Sequence, residues 1–217
     1  DQLANKHFTQ LKAMFKDEAK DRTFPGRLTI FLFKDRIGYE EFLFTIERQQ
    51  PEKTIIGHTK VTPSLEDAYI ALEDVGDNPE DGQMNLETSL VTQVTNAYLQ
   101  KSGDDLPKWV TRGTGLYLAA QSGGADYFKS LPPVAAEALT KIQRPQQIFA
   151  DGAFAPSEEA AVGYTLVSFL IRNGGIGKYG EFIARLRNGS SVDAALTTVY
   201  RANSQSIALA YSQSLPK

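Results

Sequence analysis

Leu3, Phe8, Leu11, Phe15 and Ala19 recur at three- to five-residue spacing, which predicts an amphipathic first helix ending before Phe24-Pro25-Gly26. The pattern then changes. Residues 27–33 (RLTIFLF) are a short continuous run of apolar β-formers, which predicts a strand. Tyr39, Phe42, Leu43 and Ile46 return to helical spacing, and Pro51 is expected to stop that helix. Two β-rich runs, 54–61 and 68–72, flank Pro63-Ser64 and predict an antiparallel pair. Beyond a polar loop at 76–82, residues 86–100, 109–121, 132–142, 157–172, 178–187, 192–200 and 204–214 each read as a helix bounded by Gly, Pro, Asn or Ser. Ser157 followed by Glu158 and Glu159 is a favourable start, since carboxylates there face the positive end of the helix dipole. The expected fold is α+β, with a small, mostly antiparallel N-terminal sheet and flanking helices, then an all-helical half. One domain is expected over 1–217, with a sheet-containing lobe at 1–85 and a helical lobe at 86–217.

Composition narrows the function classes. A chain of 217 residues, 41% hydrophobic and 23% charged, is long enough to fold without a disulfide or structural metal. Cysteine is absent, which removes disulfides, thiolate metal sites and cysteine nucleophiles together. The formal charge of -3, with Lys and Arg scattered, argues against a nucleic-acid partner. No apolar run approaches the length of a membrane span. The chain begins at Asp1 rather than Met, as expected of a processed or excised piece, in which a signal peptide or neighbouring domain would not be visible; other domains of a parent chain are a separate expectation. The acidic side chains of 76–82 could hold calcium, but without EF-hand spacing a solvated turn is the expectation. The glycine run at 173–177 neither follows a strand nor ends in Gly-Lys-Ser/Thr, so it reads as a helix C-cap and turn rather than a phosphate loop.

Only two histidines are available. A zinc-peptidase site needs two neutral imidazoles one helical turn apart, a carboxylate, and an open position for water. His7 falls in the first helix and His58 in a strand, so neither belongs to such a pair, and each is expected to be a surface or hydrogen-bonded residue. A serine triad would have to recruit one of them, and no G-x-S-x-G elbow is present. Lysine-dependent or paired-carboxylate chemistry stays open, because Asp and Glu are plentiful.

Residues 106–119 (LPKWVTRGTGLYLA) place Pro107, Trp109, Gly113 and Tyr117 in the frame P-x-W-[LV]-x-E-G-x-A-x-Y, with LVTQVTNAYL (90–99) one short turn before it. In layout this resembles the gluzincin-type metallopeptidases, in particular the peptidase-MA-like domains common in bacterial proteins. There an HExxH helix precedes a turn and a second helix with that frame. AVGYTLVSFL (161–170) and YGEFI (179–183) resemble the later helices of the family, and 27–33 with the strands after it suits its N-terminal sheet.

The resemblance implies a zincin-like arrangement of the α+β fold. It puts Thr92 and Asn96 at the two histidine positions, Gln93 at the general base and Arg112 at the third ligand. Thr and Asn are poor neutral donors for zinc, Gln93 cannot act as a base, and Arg112 carries a permanent positive charge. The expectation is therefore a domain with no catalytic residues, no metal and no cofactor. The resemblance further implies a peptide- or protein-binding module of a larger protein, holding its partner in a groove between the sheet edge and the former active-site helix. Arg112, with Gln93, Asn96 and Thr92, would there hold a carboxylate such as a peptide C-terminus. A scaffold or spacer with the old cleft closed, and a hydrolase with a different, non-zinc site, are the alternatives. Trp109 is expected to pack its ring. Many relatives of this type are exported, which points to an extracytoplasmic location.

Overall fold

The computed structural model describes residues 2–15, 27–53, 55–62, 67–76, 79, 83–100, 106–123 and 125–216. The expected end of the first helix beyond residue 15, the Pro63-Ser64 turn, most of the 76–82 loop and most of the turn before Leu106 lie outside these residues.

The chain forms α1 (Gln2–Met14), β1 (Arg27–Phe33), α2 (Arg36–Glu47), β2 (Gly57–Val61), β3 (Asp67–Glu73), and then α3 (Leu86–Gln100), α4 (Lys108–Ala119), α5 (Ala125–Leu139), α6 (Pro156–Arg187), α7 (Val192–Tyr200) and α8 (Ser204–Ser214). This is the α+β layout expected, with the sheet first and the helices last. The sheet itself is mixed, where a mostly antiparallel one is expected. β2 pairs antiparallel with β3, and β1 pairs parallel with it in the order β1-β3-β2. The parallel pairing follows from the path: α2 and β2 lie between β1 and β3 in sequence, so the chain returns to run beside β1 in the same direction.

Three boundaries differ from the pattern reading. Asp35 caps α2, accepting from the Gly38 N–H at 2.9 Å, and the helix ends at Glu47 because Arg48 turns left-handed (φ 54°), before Pro51 is reached. α5 begins at Ala125 and runs through Pro132 and Pro133. Each proline removes a helical hydrogen bond, so this helix persists through burial of Phe128 and Leu131, the former packed at a tilt against Tyr164 of α6 with ring centroids 5.3 Å apart. The two helices predicted within α6 are both present and meet at a kink at Gly175 (φ 78°, ψ 162°), a conformation open to glycine, with only the residues flanking the kink helical where a longer turn is expected.

The core sits between the sheet and α3, and between α3, α4 and α6. Ile70 and Leu72 of β3, Val94 and Leu99 of α3, Val110 of α4 and Leu166 and Leu170 of α6 belong to one buried cluster. α3 is the central element. From Thr88 to Leu99 only Leu90 escapes full burial, although the helix carries Thr88, Ser89, Thr92, Gln93, Thr95 and Asn96. A helix buried on all sides must find partners for such side chains. Asn85 takes the Thr88 N–H at 2.9 Å and the Thr88 hydroxyl at 2.8 Å, and Thr92 and Thr95 donate back to the Thr88 and Val91 carbonyls at 2.9 and 2.8 Å.

Helix α4 is held on both sides by backbone contact. A methyl at Gly113 would stand 2.3 Å from the Gly163 carbonyl oxygen of α6, and one at Gly115 would stand 2.8 Å from the Thr92 carbonyl oxygen of α3. Trp109, one turn before Gly113, buries its ring against Phe149 and Phe182 at 5.6 and 6.0 Å. The Trp109 and Gly113 frame read from the sequence is thus the α4–α6 contact. No helix among the described residues is long and apolar enough to cross a membrane.

Candidate functional site

A cleft of about 520 Å³ opens between the start of β2 and the three helices α3, α4 and α5. Its lining includes Thr92, Gln93 and Asn96 from α3, Arg112 and Lys108 from α4, Gly57, His58 and Thr59 from β2, and Tyr127 and Leu131 from α5. All four residues singled out by the layout come together there.

The floor follows from the helical period. Gln93 and Asn96 are a turn apart on α3, so their amides meet, and Asn96 Nδ2 donates to Gln93 Oε1 at 3.2 Å. Thr59 of β2 donates its hydroxyl to the same Gln93 oxygen at 2.8 Å, with the Gln93 carbonyl also within reach at 3.1 Å. The strand comes this close because residue 57 is glycine: a Cβ there would lie 2.6 Å from Ser89 Oγ and 2.9 Å from Gln93 Nε2. Thr92 contributes shape more than chemistry, its hydroxyl proton being given to the Thr88 carbonyl. Two buried oxygens at this seam, Asn96 Oδ1 and Ser89 Oγ, have no partner in the described structure.

Arg112 does not stand alone. Its Nη1 donates to Glu159 Oε2 at 2.7 Å, and Glu159, from the first turn of α6, is buried to 7% exposure. The guanidinium keeps 38% of its side chain exposed, and its remaining N–H donors are held in a fixed direction by this bond. The neighbouring Glu158 pairs with Lys141.

His58 lies on the other face of β2 from Thr59, over Tyr69 with centroids 6.1 Å apart, and its buried Nε2 has no partner. Burial lowers its pKa below the usual histidine value; Glu47 acts in the opposite direction, and Lys60 and Arg112 add to the lowering. Glu47 is itself bonded to Lys60 at 2.8 Å and to the Tyr69 hydroxyl, and although burial works to raise its pKa, these bonds leave it below the ordinary carboxyl value. His7 is elsewhere: it is buried in α1, with Nε2 2.9 Å from Thr95 Oγ1. It is hydrogen-bonded as expected, and His58 is not.

The rim is fixed by one side chain. Arg36, at the start of α2, bonds Glu40 at 2.7 Å and Glu73 of β3 at 3.0 Å, and reaches the carbonyls of Ile55 at 2.8 Å, Glu52 at 2.9 Å and Pro51 at 3.3 Å. Residues 49–52, 55 and 56, which wall the cleft, are thereby tied to the sheet. At the other wall, Asp151 accepts from the Lys108 N–H at 2.8 Å and caps α4 from a loop 43 residues away.

The outer edge of β2 borders this space. The Glu73 N–H donates to the Ile56 carbonyl at 2.9 Å, and in the register Gly57↔Leu72 this makes 58/71 and 60/69 the bonded pairs. The N–H and C=O groups of Gly57, Thr59 and Val61 therefore point away from β3, and among the described residues no strand pairs with them.

Glu159, Thr59, Lys108 and Arg36 are not legible as site residues in the sequence, and His58 reads as an ordinary strand histidine. Among the described residues, no three His, Asp or Glu side chains converge as a metal site would require. The chain matches no protein-family model, no curated protein and no solved structure.

Proposed function

We propose that this chain is a degenerate gluzincin-like domain whose cleft binds a segment of peptide or protein and performs no zinc chemistry. One observation carries the reading: an open cleft gathers Thr92, Gln93, Asn96 and Arg112 and also borders an edge of β2 that no strand among the described residues pairs with. Hydrogen bonds from Gly57, Thr59 and Val61 would add an extended segment as a further strand, and the cleft beside them would take its side chains. The scaffold alternative needs a cleft closed by the protein's own aromatics. Tyr39 and Tyr127 line this one and leave it open.

The test uses Thr59, an edge position whose side chain also reaches the floor. Proline at Thr59 removes an N–H that points outward and leaves the β2–β3 ladder whole. Short random peptides are panned on the wild-type protein, and the enriched ones are measured on Thr59→Pro and on Thr59→Val, which loses the hydroxyl and keeps the N–H. Binding lost in Thr59→Pro and retained in Thr59→Val, with both variants folded by circular dichroism, supports strand addition. Equal binding to both sinks it. Zinc retained at one ion per chain after dialysis would overturn the loss of the metal site.

A further inference from the structure

We propose that the cleft is built for an internal, uncharged stretch of an extended polypeptide and not for a chain terminus. The inference rests on the peptide-binding reading above and replaces the carboxylate ligand that Arg112 suggests when read from sequence.

Charge balance is the first argument. Glu159 holds the Arg112 guanidinium at 2.7 Å, and with its side chain only 10% exposed it has little other solvation. A terminal carboxylate arriving at the remaining Arg112 donors would stand within one guanidinium width of a second, poorly solvated carboxylate. Like charges at that separation disfavour each other. The other ionised groups of the lining, Lys108 and Glu52, are opposite in sign and leave no net charge to offset this. His58 is disfavoured as a cation by its burial.

Donor and acceptor balance is the second. Gln93 Oε1 is already occupied by Thr59 and Asn96, so the group this side chain can offer is its N–H₂. Arg112 offers only N–H groups. Beside these donors Asn96 Oδ1 stands as an unpaired acceptor, so the floor suits a ligand that brings both carbonyl oxygens and N–H groups, as a polypeptide backbone does and a carboxylate does not. The β2 edge supplies the alternating N–H and C=O that the rest of the same backbone would need. The 520 Å³ between them accommodates side chains, and the charge of Lys108, the second basic residue of its lining, is offset there by Glu52.

The experiment compares two display formats on the intact chain: random peptides blocked at the C-terminus by fusion, and random peptides with a free C-terminal carboxylate. Enriched sequences are then synthesised as free acid and as amide. The expected result is enrichment from both formats, with acid and amide affinities within about twofold of each other. Glu159→Gln, which removes the balancing charge and keeps the shape, is expected to shift preference toward the free acid by roughly five- to tenfold. Enrichment only from the free-carboxylate format, or a loss of more than about tenfold on amidation of wild-type ligands, overturns the proposal while leaving peptide binding intact. Failure of both formats removes the peptide reading itself and this inference with it. The wild-type acid and amide comparison decides the matter even where Glu159→Gln does not fold.

Discussion

Buried polar groups are handled differently in the helical half and at the seam between α3 and β2. In the helical half one device recurs. A threonine gives its proton to the carbonyl one turn back, and its oxygen accepts from a buried ring on another helix. Thr114 donates to Val110 and accepts from the Tyr179 hydroxyl at 2.6 Å; Thr165 donates to Ala161 and accepts from Tyr211 at 2.7 Å; Thr95 donates to Val91 and accepts from His7 at 2.9 Å. Each unit is closed within itself, although Trp109 Nε1 and Tyr200 Oη remain unpartnered in the same half. At the seam, Thr59, Gln93 and Asn96 pair sideways in a chain that ends in an unpaired Asn96 oxygen beside an open cleft. Closed units hold helices in place. An unfinished chain beside a cleft marks where something else can bind.

The sharpest way to break this contrast is to disturb the helical seam. Gly113→Ala drives a methyl against a backbone oxygen that cannot rotate away, and should cost about 3 kcal/mol, a fall of roughly 6–12 °C in Tm. A shift below about 2 °C would mean that the α4–α6 contact is loose. Next in size is the threonine device. Thr114→Val leaves the fully buried Tyr179 hydroxyl without a partner and should cost about 2 kcal/mol, Tyr179→Phe about 1 kcal/mol, and the double variant less than their sum. Strict additivity in chemical denaturation would show that the pair is not a unit.

Acid should reveal the two histidines, one packed between α1 and α3 and one in β2. Burial lowers both His7 and His58 below the unfolded value of about 6.5, so the unfolded chain binds protons more readily. Their contribution is complete above that value and is lost as pH falls from it towards the lowered folded values. Denaturation midpoints should decline over this window, and His7→Gln should flatten the decline in part. A flat profile in the wild type would contradict the burial of both rings. The smallest effect belongs to the sheet lobe: at Gly38 of α2 the nearest atoms to a new methyl are 3.5 and 3.6 Å away, so Gly38→Ala should stabilise by up to about 0.5 kcal/mol. Set beside Gly113→Ala, it measures how differently two helical glycines are used.

What the sequence discloses and what it hides divide along similar lines. The limits of β1, α3, α7 and α8 follow from local pattern, because period and capping residues act within a turn or two. Asn85 before α3 and Ser191 before α7 do their work at three residues' distance. The start of α5 is hidden because Pro132 and Pro133 look like a beginning, whereas burial of Phe128 and Leu131 carries the helix across them. The site is half legible for the same reason. Thr92, Gln93 and Asn96 share a helix face that can be counted, and Arg112 sits in a recognisable frame. Glu159 is 47 residues from Arg112, and in the chain it looks like nothing more than a helix-start carboxylate. Thr59 meets Gln93 across 34 residues, a contact made possible by the absence of a side chain at Gly57.

Arg36 has a consequence for the conditions under which the cleft keeps its form. In a chain without cysteine no disulfide can tie residues 51, 52 and 55 to the sheet, and four bonds from one guanidinium, to Pro51, Glu52, Ile55 and Glu73, do that job. Such a tie is indifferent to oxidants and reductants. Part of it is ionic, with the Arg36 side chain 24% exposed, so that part weakens with added salt. The entrance to the cleft is in effect laced with an electrostatic cord, slackened by ionic strength and untouched by redox state.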